Sequence, residues 1–222
     1  MYMKKYAIIL AGGIGSRMNS SIPKQFMQLD GESVLAHILR KFNEHPLIDG
    51  IILVLHADYI DEGVKIAEEA GINKLMKIVA GGSSRKQSSF NGVAALPDEE
   101  SYVLIHDAAR PFVSDRIITD CCEILRTCKA ASTVINSVDT VYLLDDNGVV
   151  EDVPDRRKVV MVQTPQCFHR SIIVQAHRKG AEDVELNFTD DSGMVKYYNL
   201  AEVHCVRGET ANRKITIPED LQ

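Results

Sequence analysis

Strand-length apolar runs alternate with segments of helical periodicity along most of this 222-residue chain. Ala7-Ile8-Ile9-Leu10 has the length and β-branched content of a buried strand, after which Val34, Leu35, Ile38, Leu39 and Phe42 recur at helical spacing. The pattern then repeats: Ile51–Leu55 as strand, a helix from Asp58 to Ala70, Lys77–Val79 as strand, a helix over Gln87–Leu96. Tyr102–Ile105 as strand and a helix over Ile117–Cys128 follow. Strands joined by crossover helices pack as a mainly parallel sheet with helices on both faces, so the expected fold class is α/β. Ligands of such sheets bind beyond the carboxyl ends of the strands, which makes the loops after each strand the places to look for function.

Residues 132–163 break the alternation. Ser132–Leu144 is rich in Val and Thr, Asp145-Asp146-Asn147-Gly148 is a hairpin turn, and Val149–Val162 is again apolar. A two-stranded excursion is marginal alone in water, so it must pack on its own domain or pair with another subunit. A protruding β-hairpin arm that dimerises is the expectation. Beyond it the pattern predicts a helix over Arg170–Lys179, a helix capped by Thr189 or Asp190, a strand over Glu202–Val206 and a last segment Arg213–Ile217. With no linker or repeat in between, residues 1–222 are read as a single domain.

Composition narrows the partners. A net charge of −6 argues against a general nucleic-acid binder, which needs a broad basic surface. No apolar run approaches the length of a membrane span, and Met1-Tyr2-Met3-Lys4-Lys5 leads into a strand rather than a signal-peptide core, so a cytoplasmic protein with no membrane contact is expected. The five cysteines show no C-x-x-C pairing, and Cys121 and Cys122 fall on an apolar helix face with Ile117 and Ile118; buried, reduced thiols are expected. His37, His45, His56, His169, His177 and His204 lack ligand spacing and are read as structural.

Three strand ends and one turn near the C-terminus carry chemistry. After the first strand come Gly12, Gly13 and Gly15, then Arg17 and Pro23-Lys24. Glycines there bring backbone N–H groups close to a ligand, and two cations can neutralise its oxygens, which together describe a cradle for a polyphosphate. The loop is not a P-loop, because no Lys-Ser or Lys-Thr follows at the required spacing. Nor is it a dinucleotide fingerprint, since the third glycine position after Gly13-Ile14-Gly15 holds Met18. Gly81-Gly82-Ser83-Ser84-Arg85-Lys86-Gln87-Ser88 opens a helix with hydroxyls and free amides, suited equally to an anion, a base edge or a plain N-cap. His106-Asp107-Ala108-Ala109-Arg110-Pro111 offers a carboxylate that could hold Mg²⁺ against phosphates or simply pair with Arg110. Lys214, in a basic turn near the C-terminus, is a further phosphate-ligand candidate.

These clusters occur in a fixed order: Ala11-Gly12-Gly13-x-Gly15-x-Arg17-Met18, Pro23-Lys24-Gln25, Gly81-Gly82-x-x-Arg85, His106 to Pro111, Gln163-Thr164-Pro165-Gln166-x-Phe168, Thr189-Asp190-Asp191 and Lys214-Ile215-Thr216-x-Pro218-Glu219-Asp220-Leu221. Over nearly the whole chain they resemble the 2-C-methyl-D-erythritol 4-phosphate cytidylyltransferases and the related ribitol-5-phosphate cytidylyltransferases. The resemblance implies a Rossmann-like nucleotidyltransferase fold, a homodimer built through the arm, CTP as donor, Mg²⁺ as cofactor and a small polyol phosphate as acceptor. It places Ala11, Gly12, Gly13, Gly82, Ser83 and Ser88 around the cytidine. It gives Arg17, Lys24 and Lys214 to the triphosphate as catalytic cations, and Asp107 to nucleotide and metal. Arg110, Thr140 and Arg156 would meet the acceptor, the last two from the partner subunit. The Leu10-Ala11-Gly12-Gly13 form leans toward the ribitol branch, whereas Asp107 to Pro111 and Thr189 to Gly193 lean toward the methylerythritol branch. Lys158 to Val162 matches neither, and relatives continue past Leu221 into a terminal helix. The lead expectation is CMP transfer from CTP to 2-C-methyl-D-erythritol 4-phosphate. A ribitol or other polyol phosphate acceptor, in cell-surface polymer synthesis, is the alternative, and a non-catalytic nucleotide-binding protein the remote one.

Overall fold

The computed structural model describes residues 2–13, 23–183, 185–216 and 220. The elements are β1 (Lys5–Ala11), β2 (Gln28–Leu29), β3 (Glu32–Ser33), α1 (Val34–Glu44), β4 (Gly50–Leu55), α2 (Ile60–Glu69), β5 (Leu75–Ala80), α3 (Arg85–Ala94), β6 (Tyr102–Asp107) and α4 (Asp115–Ile124). They continue with β7 (Ala130–Asn136), β8 (Leu143–Leu144), β9 (Val150–Asp152), β10 (Val160–His169), α5 (Arg170–Glu182), α6 (Asp191–Tyr197) and β11 (Val203–Arg207). Among the described residues seven strands form one sheet in the order β11-β7-β10-β6-β1-β4-β5. β1 pairs in parallel with β4 and β6, β4 with β5 and β7 with β11, while β10 runs antiparallel between β6 and β7. The expected α/β architecture and its mainly parallel sheet are present.

Period-two side-chain alternation explains how one strand serves two layers. Ala7, Ile9 and Ala11 of β1 join the core shared with α1, α2 and α4, whereas Tyr6, Ile8 and Leu10 join the core shared with α3, α5 and α6. A strand covered on both faces must be apolar throughout, which is why β1, β4 and β6 are buried along their whole length. Helix starts are set locally. The side chains of Ser33, Ser84, Ser114 and Asp190 accept from backbone N–H groups of the first turns of α1, α3, α4 and α6, occupying donors that have no partner inside a helix. Between the two candidates at the last of these, the cap is Asp190.

Three expectations change. The 132–163 excursion is not one long hairpin, because β7 and β10 are central strands and only the chain between them leaves the sheet, closing on the short β8–β9 pair. Ala130–Val134 of β7 and Gln163–Phe168 of β10 are buried at every position, which a central place in the sheet provides and a free ribbon cannot. The turn falls as expected: Asp145 Oδ1 accepts from the N–H groups of Asn147 and Val149, and Gly148 takes φ +80°. Residues 213–216 form no strand. All five cysteines are free, and Cys121, Cys122 and Cys167 are buried, but Cys205 is exposed on the edge strand β11. No helix among the described residues is long and apolar enough to cross a membrane.

Candidate active site

The carboxyl ends of β1, β4 and β6 open onto a cavity of about 420 Å³, within the range of small-ligand sites. Ala11, Gly12 and Gly13 form one wall, Gly82 to Arg85 and Ser88 a second, and Asp107 to Ala109 with Lys24 and Lys214 a third. Close packing accounts for Gly12 and Gly82, whereas Gly13 faces open space. A Cβ on Gly12 would stand 3.2 Å from Ser88 Oγ, and one on Gly82 would stand 1.9 Å from Gln87 Cγ. Ser88 Oγ accepts from Gly82 N–H at 3.1 Å and donates to the Ser84 carbonyl at 2.9 Å, so the lip of α3 is locked by its own first turn.

Lys24 and Lys214, remote in sequence, arrive on the same side. Lys24 begins a 3-10 turn after Pro23, and its Nζ donates to the Ile215 carbonyl at 3.3 Å. Ile215 N–H in turn donates to the Ala109 carbonyl at 2.7 Å, which docks the Lys214 loop on the turn after β6. Neighbouring Gln25 is buried and donates to the Ala11 carbonyl at 3.0 Å, tying the lysine to the end of β1.

Asp107 is the electrostatic centre. Its Oδ1 accepts from Arg85 Nε at 3.2 Å and its Oδ2 from Lys214 Nζ at 2.8 Å. Burial by itself would raise its carboxyl, but Arg85 and Lys214 outweigh that and hold it well below the usual carboxylate range. Arg85 is held on the other side by Asp191 Oδ2 at 2.8 Å, and despite burial these two carboxylates push its guanidinium above the ordinary arginine value. The simple Asp107–Arg110 pair is therefore not formed. Arg110 instead donates to the carbonyls of Asn212 and Val162, with its Nε buried and unpartnered among the described residues.

His106, fully buried behind Asp107, shapes the same turn. Its Nε2 lies 3.0 Å from the Arg110 carbonyl, which can only accept, so Nε2 carries the proton and Nδ1 accepts from the Thr164 hydroxyl at 3.0 Å. Thr164 Oγ1 also accepts from Asp107 N–H at 3.1 Å. Burial lowers the imidazole to about 4, so it stays neutral near pH 7.

The remaining candidates separate. Arg17 and Gly15 lie outside the described residues. Thr140 and Arg156 stand exposed on the arm and do not line this cavity; Arg156 donates to the Val138 carbonyl at 3.0 Å, which brings it beside the Thr140 segment. Arg85 and Asp191 are the residues that the reading of the sequence left without a role. Their pairing spans more than a hundred positions, and only the motif positions hinted at them. His56, read as structural, also lines the cavity.

No group of three or more His, Cys, Asp or Glu able to hold a metal exists among the described residues. Asp107 alone fits the pattern of Mg²⁺ held by one carboxylate plus substrate oxygens, since each of its oxygens keeps a lone pair beyond the bond it accepts.

The model of the family described as IspD, 2-C-methyl-D-erythritol 4-phosphate cytidylyltransferase, matches residues 5–222. A protein of that name from Clostridium botulinum (strain 657 / Type Ba4) is 41% identical over 218 residues, covering 98% of this chain and 94% of its own. Another, from Thermobifida fusca (strain YX), is 39% identical over 97% of this chain and 89% of its own. The solved 4-diphosphocytidyl-2C-methyl-D-erythritol synthase from Anaerococcus prevotii DSM 20548 superposes with TM-score 0.88 at 34% identity, covering 99% of this chain and 93% of its own. The Francisella tularensis cytidylyltransferase superposes with TM-score 0.81 at 27% identity over 98% of this chain and 96% of its own.

Proposed function

The chain belongs to the 2-C-methyl-D-erythritol 4-phosphate cytidylyltransferase family, and on that premise we propose that its strand-end cavity binds CTP and drives the transfer with Arg17, Lys24 and Lys214. The reaction moves CMP from CTP to 2-C-methyl-D-erythritol 4-phosphate, forming 4-diphosphocytidyl-2-C-methyl-D-erythritol and pyrophosphate in isoprenoid precursor synthesis. The family resolves the acceptor between the methylerythritol and ribitol readings.

One observation carries the assignment of roles: Lys24, Lys214 and Arg85 line the same cavity as Asp107, which accepts from the last two, while glycine backbone, Ser83 and Ser88 line the rest. The glycine walls with Ser83 and Ser88 take the cytidine, and the lysines take the triphosphate. A phosphate monoester is largely ionised at neutral pH, its second pKa lying near ~6, so the acceptor oxygen attacks the α-phosphorus without a general base. The new P–O bond forms in line with the bond to the leaving pyrophosphate. What the protein supplies is position and positive charge where negative charge develops. Asp107 is the residue that would hold Mg²⁺, which would add charge neutralisation to that of the lysines.

Arg110 meets the acceptor phosphate, a reading supported by its buried, unpartnered Nε. Thr140 and Arg156 serve the site of a partner in a homodimer. Support comes from their exposure on the arm and from the apolar side chains around them, Val138 at 76% exposure and Val149 at 62%. Five unpaired thiols suit a reducing cytoplasm.

The deciding experiment measures pyrophosphate release from CTP with methylerythritol phosphate, ribitol phosphate and glycerol phosphate side by side. Fast release with the first alone is expected. Release with none of them would overturn the assignment and revive a binding protein.

A further inference from the structure

Of the consecutive carboxylates Asp190 and Asp191, the first caps α6 and accepts from the Gln166 side-chain amide, while the second points into the protein. Asp191 does not line the cavity, and only 1% of its surface is exposed. Its Oδ1 accepts from the Ser89 hydroxyl at 2.6 Å and lies 3.1 Å from His177 Nε2, and its Oδ2 accepts from Arg85 at 2.8 Å. The result is a line of alternating charge, Asp191–Arg85–Asp107–Lys214, running from beneath α6 to the cavity wall.

The sharing of Arg85 is the informative part. A guanidinium facing a single carboxylate favours the two-armed arrangement that takes both oxygens. Here Asp191 holds Nη1, and the guanidinium thus anchored reaches Asp107 through Nε alone, on Oδ1, while Oδ2 accepts from Lys214. We propose that Asp191 is a positioning residue of the transfer: by anchoring Nη1 it sets the orientation of the Arg85 guanidinium, so that only one Asp107 oxygen is engaged and the other fixes Lys214 where the triphosphate enters. Removing the Asp191 charge turns Arg85 fully onto Asp107 and frees Lys214 from the wall. This inference rests on the CTP reading of the cavity.

A merely structural anchor for α6 would cost stability, and its kinetic effect would be independent of Lys214. The test is therefore a double-mutant cycle in pyrophosphate release, with kcat and KM for CTP measured on the wild type, Asp191→Asn, Lys214→Gln and the double variant, each checked for folding by its thermal melt. We expect Asp191→Asn to lower kcat/KM about tenfold alone and less than about twofold once Lys214 is gone, a coupling of the size found between contacting groups. If Asp191→Asn does not fold, Arg85→Lys replaces it in the cycle, since an ammonium is a point charge that cannot span two carboxylates. Losses that multiply independently of Lys214 overturn the inference while leaving the CTP reading intact. A wild type that releases no pyrophosphate overturns both.

Discussion

At and behind the cavity wall, Asp107 and Asp191 are buried among cations and hydroxyls, whereas on the arm Val138, Leu144 and Val149 are 76%, 56% and 62% exposed. The cavity closes with groups from β1, α3, β6 and the Lys214 loop of one chain, so its charges are compensated within the molecule. The arm has the composition of an interior and the surroundings of a surface. The contrast bears on the two roles proposed for these regions: charge placement at the cavity, and acceptor selection shared with a second copy on the arm.

Breaking the cavity should have the largest effect. Lys24→Ala is expected to lower kcat about a hundredfold or more, the scale of losing one preorganised charge-stabilising donor, and normal turnover by the folded variant would sink its assignment. Next comes pH. The His106 imidazole at about 4 lies below its unfolded value of ~6.5, so the unfolded chain binds the extra proton between those two values. Stability should fall by up to about 3 kcal/mol as pH drops from ~6.5 to ~4. The depressed carboxyls of Asp107 and Asp191 add a further loss below the unfolded carboxylate value of ~3.9. Urea unfolding across that window should show a flatter profile for His106→Gln than for the wild type, and identical slopes would refute the buried neutral imidazole.

On the arm, Arg156→Ala should leave the KM for CTP unchanged and lower kcat/KM for the acceptor about tenfold or more, as for a lost charged hydrogen bond. Mixing it with Lys24→Ala subunits should restore part of the activity, because one of the two shared sites then combines an intact lysine from one chain with an intact arginine from the other. Leu144→Lys should produce monomers in sedimentation with the same acceptor defect; an active monomer would dissolve the distinction between cavity and arm. The smallest effect belongs to the turn. Gly148→Ala places a side chain at φ +80°, costing about 1 kcal/mol locally, yet global unfolding should barely register it because the β8–β9 pair is not part of the main sheet. A full-sized shift in the thermal midpoint would show the arm folding as one unit with the body.

Much of the fold was legible because its signals are local. Apolar runs, helical spacing and serine caps announce β1, α1, β4, α3 and β6 within a few residues each. The 132–163 segment was misread for the same reason. Val- and Thr-rich sequence says strand, but whether that strand pairs with its hairpin neighbour or enters a central sheet depends on what lies beside it in space. In the cavity, glycines, Lys24 and Asp107 could be found by position after a strand, and their order along the chain carried the family.

By itself, then, the sequence determined the α/β alternation, the strand-end placement of Gly12, Gly82 and Asp107, and the chemistry those residue types can perform, since each follows from short-range periodicity or spacing. Only the tertiary structure decided the pairings: Asp107 with Arg85 and Lys214 rather than with Arg110, and Asp191 with Arg85 rather than with solvent. Charges a hundred residues apart have no preferred partner in the chain. They acquire partners when folding strips away their water and leaves only the few neighbours able to compensate them.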